Sequence, residues 1–369
     1  MPLSQFHNKH IRKLVLMTID LFFALIRDAL WDSTEDIPLE LPKQETGILF
    51  SIAEQQSVCG LVIEALIHNN IKMSQQWVFK AISLLEQIKQ QNKIINEGVV
   101  KLDRLMNEAG INYTIVKGQV LASYYPNSLL RQPGDIDYYC GNSVFDRALK
   151  VIKEQWGVTP ERDGAEKHYH FNYNGVTFEG HFKLVELYGR KRNECFKDLV
   201  DCDISTEVDI DGHPIKTLSP TIHVLYVFLH LYNHLLKLGI GLRQFCDLAV
   251  MLHCCKGQIN IDVMNEYLHA LGMEKAYRAC GCILVDYIGL KEVELGYTLT
   301  NTDRRYGKRV LNVVMFRGNM GHYNKLSGFN GWMHKVETTG IKLSHFVKFV
   351  LLAPGYSCGW LWHEFRRNL

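Results

Sequence analysis

Several features that would settle the class of this chain at once are missing from it. There is almost no excess of one charge: 41 Lys and Arg stand against 39 Asp and Glu in 369 residues, a formal net charge of +2 with His neutral. So even a balance does not advertise a nucleic-acid polymer as the main partner. Basic runs occur locally, at Arg190-Lys191-Arg192, at Arg304-Arg305 with Lys308-Arg309, and at Arg366-Arg367, and each reads first as a solvated face. Long apolar runs are absent too. Leu14 to Ile19 follows Lys9, Arg12 and Lys13, but Asp20 ends it after six residues, and Arg27 and Asp28 come soon after. That is too short for the core of a secretory signal and too charged for a membrane span, so a cytoplasmic protein with no membrane partner is expected. Ten cysteines are present without one Cys-x-x-Cys pair. Cys254-Cys255 and Cys280-x-Cys282 fall in helical sequence, where ligand atoms would diverge, which favours free thiols in a reducing compartment over zinc. Internal repeats and low-complexity linkers are also lacking.

What is present is enough chain for two or three domains, with 47% hydrophobic and 22% charged residues, ordinary values for a globular protein. The first hundred residues read as helices. Leu14, Met17, Leu21, Leu25 and Leu30 keep to a helical stripe, Thr46–Asn69 gives a second helix after Pro38 and Pro42, and Gln75–Ala109 gives a long third. The character changes at Gly110. Ile111–Val116 reads as a strand ending at Lys117-Gly118, Gln119–Tyr125 as a helix stopped by Pro126, Ile136–Cys140 as a strand, and Val144–Trp156 as a helix capped by Ser143. Asn174-Gly175 between His168–Tyr173 and Val176–Leu184 is a strong hairpin signal, because both central residues of a type I′ turn need positive φ. Helices return from Ser219: Thr221–Leu238, Leu242–Cys255, Val263–Leu271, Lys275–Ile288, Asp303–Phe316 and Ile341–Leu352. This order predicts an α+β protein, with an N-terminal helical region over 1–108, a small sheet domain over 109–217 and a C-terminal helical domain over 218–369.

The chemistry centres on Asp135-Ile136-Asp137. On a strand, residues i and i+2 point to one face, so both carboxylates project together while Ile136 turns to the core. Two acids forced together repel, and a divalent cation relieves them; Mg2+ takes oxygen ligands, commonly carboxylates plus substrate phosphates. By itself Asp-x-Asp reads first as a solvated edge strand. The hairpin adds weight: in Val176-Thr-Phe-Glu-Gly-His-Phe182, Thr177, Glu179 and His181 share the face opposite Val176 and Phe178, so Glu179 becomes a third candidate carboxylate. Upstream, Lys117-Gly118 lies where a strand gives way to a helix, a place where backbone amides and the helix dipole favour an anion. Arg131, four residues before Asp135, is a candidate to reach either phosphates or the acids.

The run Lys117-Gly118-x-x-Leu121-Ala122-x-Tyr124-Tyr125-Pro126, followed by Leu130-Arg131-x-x-Gly134-Asp135-Ile136-Asp137, resembles the uncharacterised nucleotidyltransferase family, part of the DNA-polymerase-β-like superfamily. Glu179 and His181, and the segment from Gly239 to Asp247, extend the resemblance. It implies a small mixed sheet of polymerase-β-like type between helical regions, and Mg2+-dependent (or Mn2+-dependent) transfer of a nucleoside monophosphate from a triphosphate with release of pyrophosphate. Asp135, Asp137 and Glu179 match the metal ligands and catalytic acids, with His181 beside Glu179 as the competitor for the third place. Lys117, Gly118, Gln119, Arg131, Arg243 and Asp247 fall at the nucleotide-binding positions. Where the superfamily usually has Gly-Ser or Gly-Gly, this chain has Gly118-Gln119, which removes the small hydroxyl often used on the phosphates.

Weaker signals remain. His230 and His234, four apart with His223 two turns back, make at most half a zinc site and read better as cleft-lining residues. Arg243 and Asp247 are spaced for an intrahelical ion pair, or Arg243 reaches toward nucleotide or acids. Gly318-Asn319-Met320-Gly321 is a turn by composition. The acceptor of the transfer, whether small molecule, protein or RNA, is not legible; near-neutral charge speaks mildly against RNA. A nucleotide-binding or scaffold protein that has kept the fold is the alternative, against which the three acids and Lys117 argue.

Overall fold

Helical spacing of apolar side chains builds the first elements of the computed structural model, which describes residues 9–33, 37–162, 168–237, 239–318 and 332–367. The first helix, α1 (Lys9–Trp31), buries Val15, Phe22, Leu25, Ile26 and Leu30; Met17, expected on this stripe, is exposed. The helix expected over Thr46–Asn69 is two, α2 (Lys43–Gln56) and α3 (Cys59–His68), because Ser57 takes the left-handed conformation at φ 56° and breaks the ladder. The break lets α3 lie on the chain near Leu130, where a Cβ on Gly60 would stand 2.1 Å from the Leu130 carbonyl oxygen. Next comes α4 (Gln75–Glu108), whose second half buries Ile95, Val99, Leu102 and Met106 beneath the sheet. Contact there is close, since a Cβ on Gly98 would lie 2.9 Å from Ile136 Cδ1.

The sheet comprises β1 (Thr114–Val116), followed by α5 (Gly118–Ala122), then β2 (Ile136–Tyr139), α6 (Asn142–Trp156), β3 (Glu161–Arg162), β4 (His168–Tyr173) and β5 (Val176–His181). Strand β1 is shorter than the expected Ile111–Val116, and Ser143 is not the cap of α6: Gly141 holds that position and no side chain caps the helix. Strand order is β1-β2-β5-β4-β3, with β2 and β5 parallel and the other neighbours antiparallel. Asn174 and Gly175 have φ of 50° and 77°, as the type I′ turn requires. The expected outline of a small mixed sheet among many helices therefore holds.

Three elements after β5 have no counterpart in the sequence reading: α7 (Arg190–Asp201) and a two-stranded ribbon of β6 (Thr206–Ile210) and β7 (His213–Thr217). The ribbon turns on Asp211-Gly212, both at positive φ, so the Asp-Gly signal was present. Helices follow as α8 (Pro220–Lys237), α9 (Leu242–Cys254), α10 (Ile261–Leu271), α11 (Glu274–Ile283), α12 (Asn301–Arg317), α13 (Trp332–Phe349) and α14 (Pro354–Arg367). The helix expected to reach Ile288 stops at Ile283 and continues as one wide turn over Leu284–Ile288, while α14 was not foreseen. Residues 319–321 of the expected turn lie outside the described residues.

Apolar burial divides into two cores. One lies around the five-stranded sheet, α6 and the second half of α4, and includes Ile136, Tyr138 and Phe178. The other joins α1–α3 to the helices after the sheet, so Phe22 and Trp360 belong to one cluster. Among the described residues no helix is long and apolar enough to cross a membrane, and all ten cysteines are free.

Candidate active site

At the end of β1 the backbone enters a conformation that only glycine adopts readily. Lys117 has φ 55° and ψ −146°, and Gly118 follows at φ 43°. A Cβ on Gly118 would stand 3.1 Å from the Asp135 carbonyl oxygen, so the turn lies directly on the segment carrying the acids. His223 of α8 supports it: the Lys117 amide donates to Nε2 at 3.4 Å, and Nδ1 lies 3.4 Å from Thr217 Oγ1. Burial, reinforced by the Lys117 charge, lowers the His223 pKa to about 3, so the ring is neutral and accepts at Nε2. His223 thus props the turn instead of binding zinc.

The acids come next. Asp135 is half-buried just before β2, and Asp137 is buried within it. In the parallel pairing of β2 with β5, Asp137 stands opposite Glu179, and Tyr139 opposite His181. The intervening pair is Tyr138 and Gly180, where a Cβ would meet the Tyr138 hydroxyl at 2.3 Å; glycine lets the strands close and keeps Glu179 and His181 on the acid face. Lys117 Nζ contacts Asp137 Oδ1 at 2.6 Å, His181 Nε2 reaches the same oxygen at 2.7 Å, and His181 Nε2 is 3.8 Å from Glu179 Oε2. Burial by itself would raise the Asp137 pKa, but Lys117 and the His181 hydrogen bond outweigh it and hold the carboxyl well below its usual range. Glu179 goes the other way: burial, then the charges of Asp137 and Asp135, push it up to about 8. Burial also opposes charge on Lys117, yet Asp137 raises its pKa above the usual lysine range.

The donor set suits a hard divalent cation. Asp137, Glu179 and His181 each offer a ligand atom within 4.8 Å of the others, and the charge of Asp135 acts on Glu179 from beside them. His181 is the poorer ligand of these. Its Nδ1 is buried with no hydrogen-bond partner, whereas a metal-bound imidazole normally donates its second N–H to an acceptor. Donating from Nε2 to Asp137 leaves only a lone pair at Nδ1, and this hydrogen bond orients the Asp137 carboxylate; Asp135 stands outside the three-residue group.

The remaining candidates divide. Arg131 and Asp247 are each other's partners, both buried: Arg131 Nε to Oδ1 is 2.7 Å, Nη2 to Oδ2 is 2.9 Å, and the Tyr125 hydroxyl donates to Oδ1 at 2.7 Å. Asp247 is therefore not the intrahelical partner of Arg243. Across the helix, Arg243 Nη1 instead donates to the carbonyls of Gln132 and Pro133 at 3.3 Å, bracing the turn before Asp135. Burial, then the neighbouring Arg131 charge, lower its pKa. Gln119 turns away from the acids, since one residue along a helix rotates the side chain by roughly 100°; its amide donates to Asn96 of α4. Asn92, which the sequence reading passed over, donates to the carbonyls of Leu129 and Arg131 at 2.9 and 2.8 Å and ties this loop to α4. A polar residue in the apolar stripe of a helix was the available signal, and Gly180 inside a strand was another.

All of this opens into one cavity of about 360 Å³ between the sheet and helices α8 and α9. Lys117, Gly118, Asp135, Asp137 and Glu179 face it from the sheet side, and His230, His234, Lys237 and Arg243 from the helices. The rings of His230 and His234 lie 4.4 Å apart, and among the described residues they belong to no three-residue metal-ligating group.

The profile of the uncharacterised nucleotidyltransferase family matches residues 42–289, a span that holds every residue of this cavity. The chain belongs to that family. The acids and the lysine described above all lie within that span. No curated protein matches it in sequence. A solved antigenic nucleotidyltransferase-like protein from Paracoccidioides brasiliensis is similar over 55% of this chain and 93% of its own, with 13% identity and a TM-score of 0.34, and at that score the likeness carries no argument.

Proposed function

We propose that this nucleotidyltransferase moves a nucleoside monophosphate from a nucleoside triphosphate to an acceptor hydroxyl, releasing pyrophosphate, on a polymerase-β-like sheet with Asp135, Asp137 and Glu179 as ligands of Mg2+ or Mn2+. One observation carries the reading: the β2–β5 register sets Asp137 beside Glu179, with Lys117 on Asp137 and the Gly118 turn alongside. A divalent cation bound there would neutralise charge building on the phosphoryl group and the departing pyrophosphate. The chain's own groups have separate tasks. Lys117 supplies a cation, and the Gly118 amide a donor, for the triphosphate. His181 holds the Asp137 carboxylate in one orientation. Glu179 takes the proton of the attacking hydroxyl. Arg131 and Asp247 act by locking the loop, and Arg243 by bracing its last turn.

The test is incubation of the full chain with each of the four triphosphates, labelled at the α-phosphate, and a cell extract, following labelled product and pyrophosphate. Magnesium plus the preferred triphosphate should raise the melting temperature, because ligand binds only the folded state. Glu179→Gln should keep triphosphate affinity within several-fold while slowing transfer by about a hundredfold or more, the scale of a positioned acid–base group. Turnover that survives a chelator, or survives Asp137→Asn, would overturn the reading.

A further inference from the structure

A second cavity, of about 500 Å³, opens at the C-terminal ends of β2 and β5. Its volume is in the range of small-molecule sites. Tyr139, Phe182, Leu184, Phe196 and Val200 are the large apolar side chains that line it with Val185, and half-buried Lys183 lines it too. It adjoins the acid cavity, because Leu184 lines both. Tyr139 lies two residues beyond Asp137 on one strand, hence on the same face and about 7 Å further along. That is close to the length of a hydroxyphenyl group.

We propose that this cavity is the acceptor pocket, and that the acceptor carries its hydroxyl on a flat aromatic ring with an acidic substituent. The proposal rests on the transfer reading above. Direction along β2 supports it. Lys117 and Gly118, the triphosphate side, meet β2 at its N-terminal end, since Val116 pairs with Asp137 and Gly118 touches Asp135. The second cavity lies at the opposite end, with Asp137 and Glu179 between. In-line displacement needs the attacking oxygen and the leaving pyrophosphate on opposite sides of the phosphorus, and this layout provides two such sides. Ring stacking fits the aromatic wall of Tyr139, Phe182 and Phe196. Charge in the lining selects the substituent. Glu194 is paired with Arg190 at 2.7 Å and Asp201 with Lys197 at 2.8 Å, while among the described residues Lys183 has no carboxylate at ion-pair distance.

In the transfer step the ring hydroxyl gives its proton to the Glu179 carboxylate as its oxygen bonds to the α-phosphorus. The bond from that phosphorus to the bridging oxygen breaks, its electron pair leaves on pyrophosphate, and Glu179 later returns its proton to solvent.

The experiment uses the full chain and two probes, 4-hydroxybenzoate and tyramine, which share a phenol and differ in the charge of the substituent. Binding is followed by saturation-transfer NMR and calorimetry, and triphosphate binding separately by thermal shift with Mg2+. Wild type should prefer 4-hydroxybenzoate, by about tenfold. Val200→Trp, which fills the cavity, should weaken that probe by about tenfold or more and leave triphosphate binding unchanged. Lys183→Gln, at a half-buried position, should erase the preference between probes without filling anything, and it serves where the tryptophan variant folds poorly. With labelled triphosphate, 4-hydroxybenzoate should become nucleotidylated. Equal binding of both probes by wild type, binding of neither at millimolar concentration, or binding unchanged in both variants overturns the pocket assignment. Probe binding that Val200→Trp abolishes, in a chain that binds no triphosphate and forms no product, overturns the acceptor role and locates the failure in the transfer reading, not in the cavity.

Discussion

Asp135→Asn and Asp137→Asn should part company in stability, although each removes one carboxylate from the same face of the same segment. Asp137 is about 3% exposed and accepts from Lys117 Nζ at 2.6 Å and from His181 Nε2 at 2.7 Å. At an effective dielectric of about 20 the Lys117 contact is worth roughly 6 kcal/mol of Coulomb attraction, much of it spent on taking both charges out of water. Removing the carboxylate leaves that desolvation uncompensated on a nearly buried ammonium, a change that costs about 3–5 kcal/mol. Asp135 is half-buried and is not ion-paired to any described cation, so its replacement should cost under about 1 kcal/mol. Guanidinium unfolding and calorimetry of the three proteins at pH 7 with chelator present measure both values. Acid titration adds a second signature. The folded pKa of Asp137 is depressed, so its contribution is present above the unfolded value of about 4 and drains away as pH falls toward the folded one. Asp137→Asn should therefore lose less stability than wild type below about pH 4. Lys117→Met combined with Asp137→Asn should be more stable than Asp137→Asn alone, since no buried ammonium remains. Equal losses for the two aspartates, or a double variant no better than the single, would refute the reasoning.

Other consequences follow from the same geometry. His223 is neutral when folded, with a pKa near 3 against 6.5 unexposed to burial, so its contribution is full above 6.5 and is lost as pH falls toward 3. His223→Gln should flatten part of that acid loss in thermal melts, leaving the share of His345, lowered to about 4 by burial. Asp247→Ala strands the buried Arg131 and should cost about 3–5 kcal/mol in denaturant unfolding, with Asp247→Asn milder. Gly180→Ala drives a methyl group into the Tyr138 hydroxyl and should cost about 1–3 kcal/mol. Tyr138→Phe should restore only part of it, because the hydroxyl has no hydrogen-bond partner to lose but ring Cζ would still lie 2.5 Å from the new Cβ; full rescue would mean that the ring itself is not the obstruction.

Local patterns in the sequence were enough for the elements that depend on near neighbours. Period-two alternation put Asp135 and Asp137 on one face and Glu179 with His181 on another, Asn174-Gly175 marked the hairpin, and apolar spacing marked α4. Their motif also carried the family, which the match over residues 42–289 bears out. What lay beyond reach were contacts between distant segments. The acid on β5 pointed to a place beside β2, but the packing that allows it shows only in the fold: Gly180 admits the Tyr138 ring while Phe178 joins Ile136 in the core. Likewise Arg243 and Asp247 had the spacing of an ion pair, yet a carboxylate buried in α9 goes to the donor set that satisfies both oxygens. Arg131 and Tyr125 provide it from a loop more than a hundred residues away. Sequence spacing determines which side chains share a face. Which faces meet is decided by burial, where every charge taken from water must find a partner across the fold.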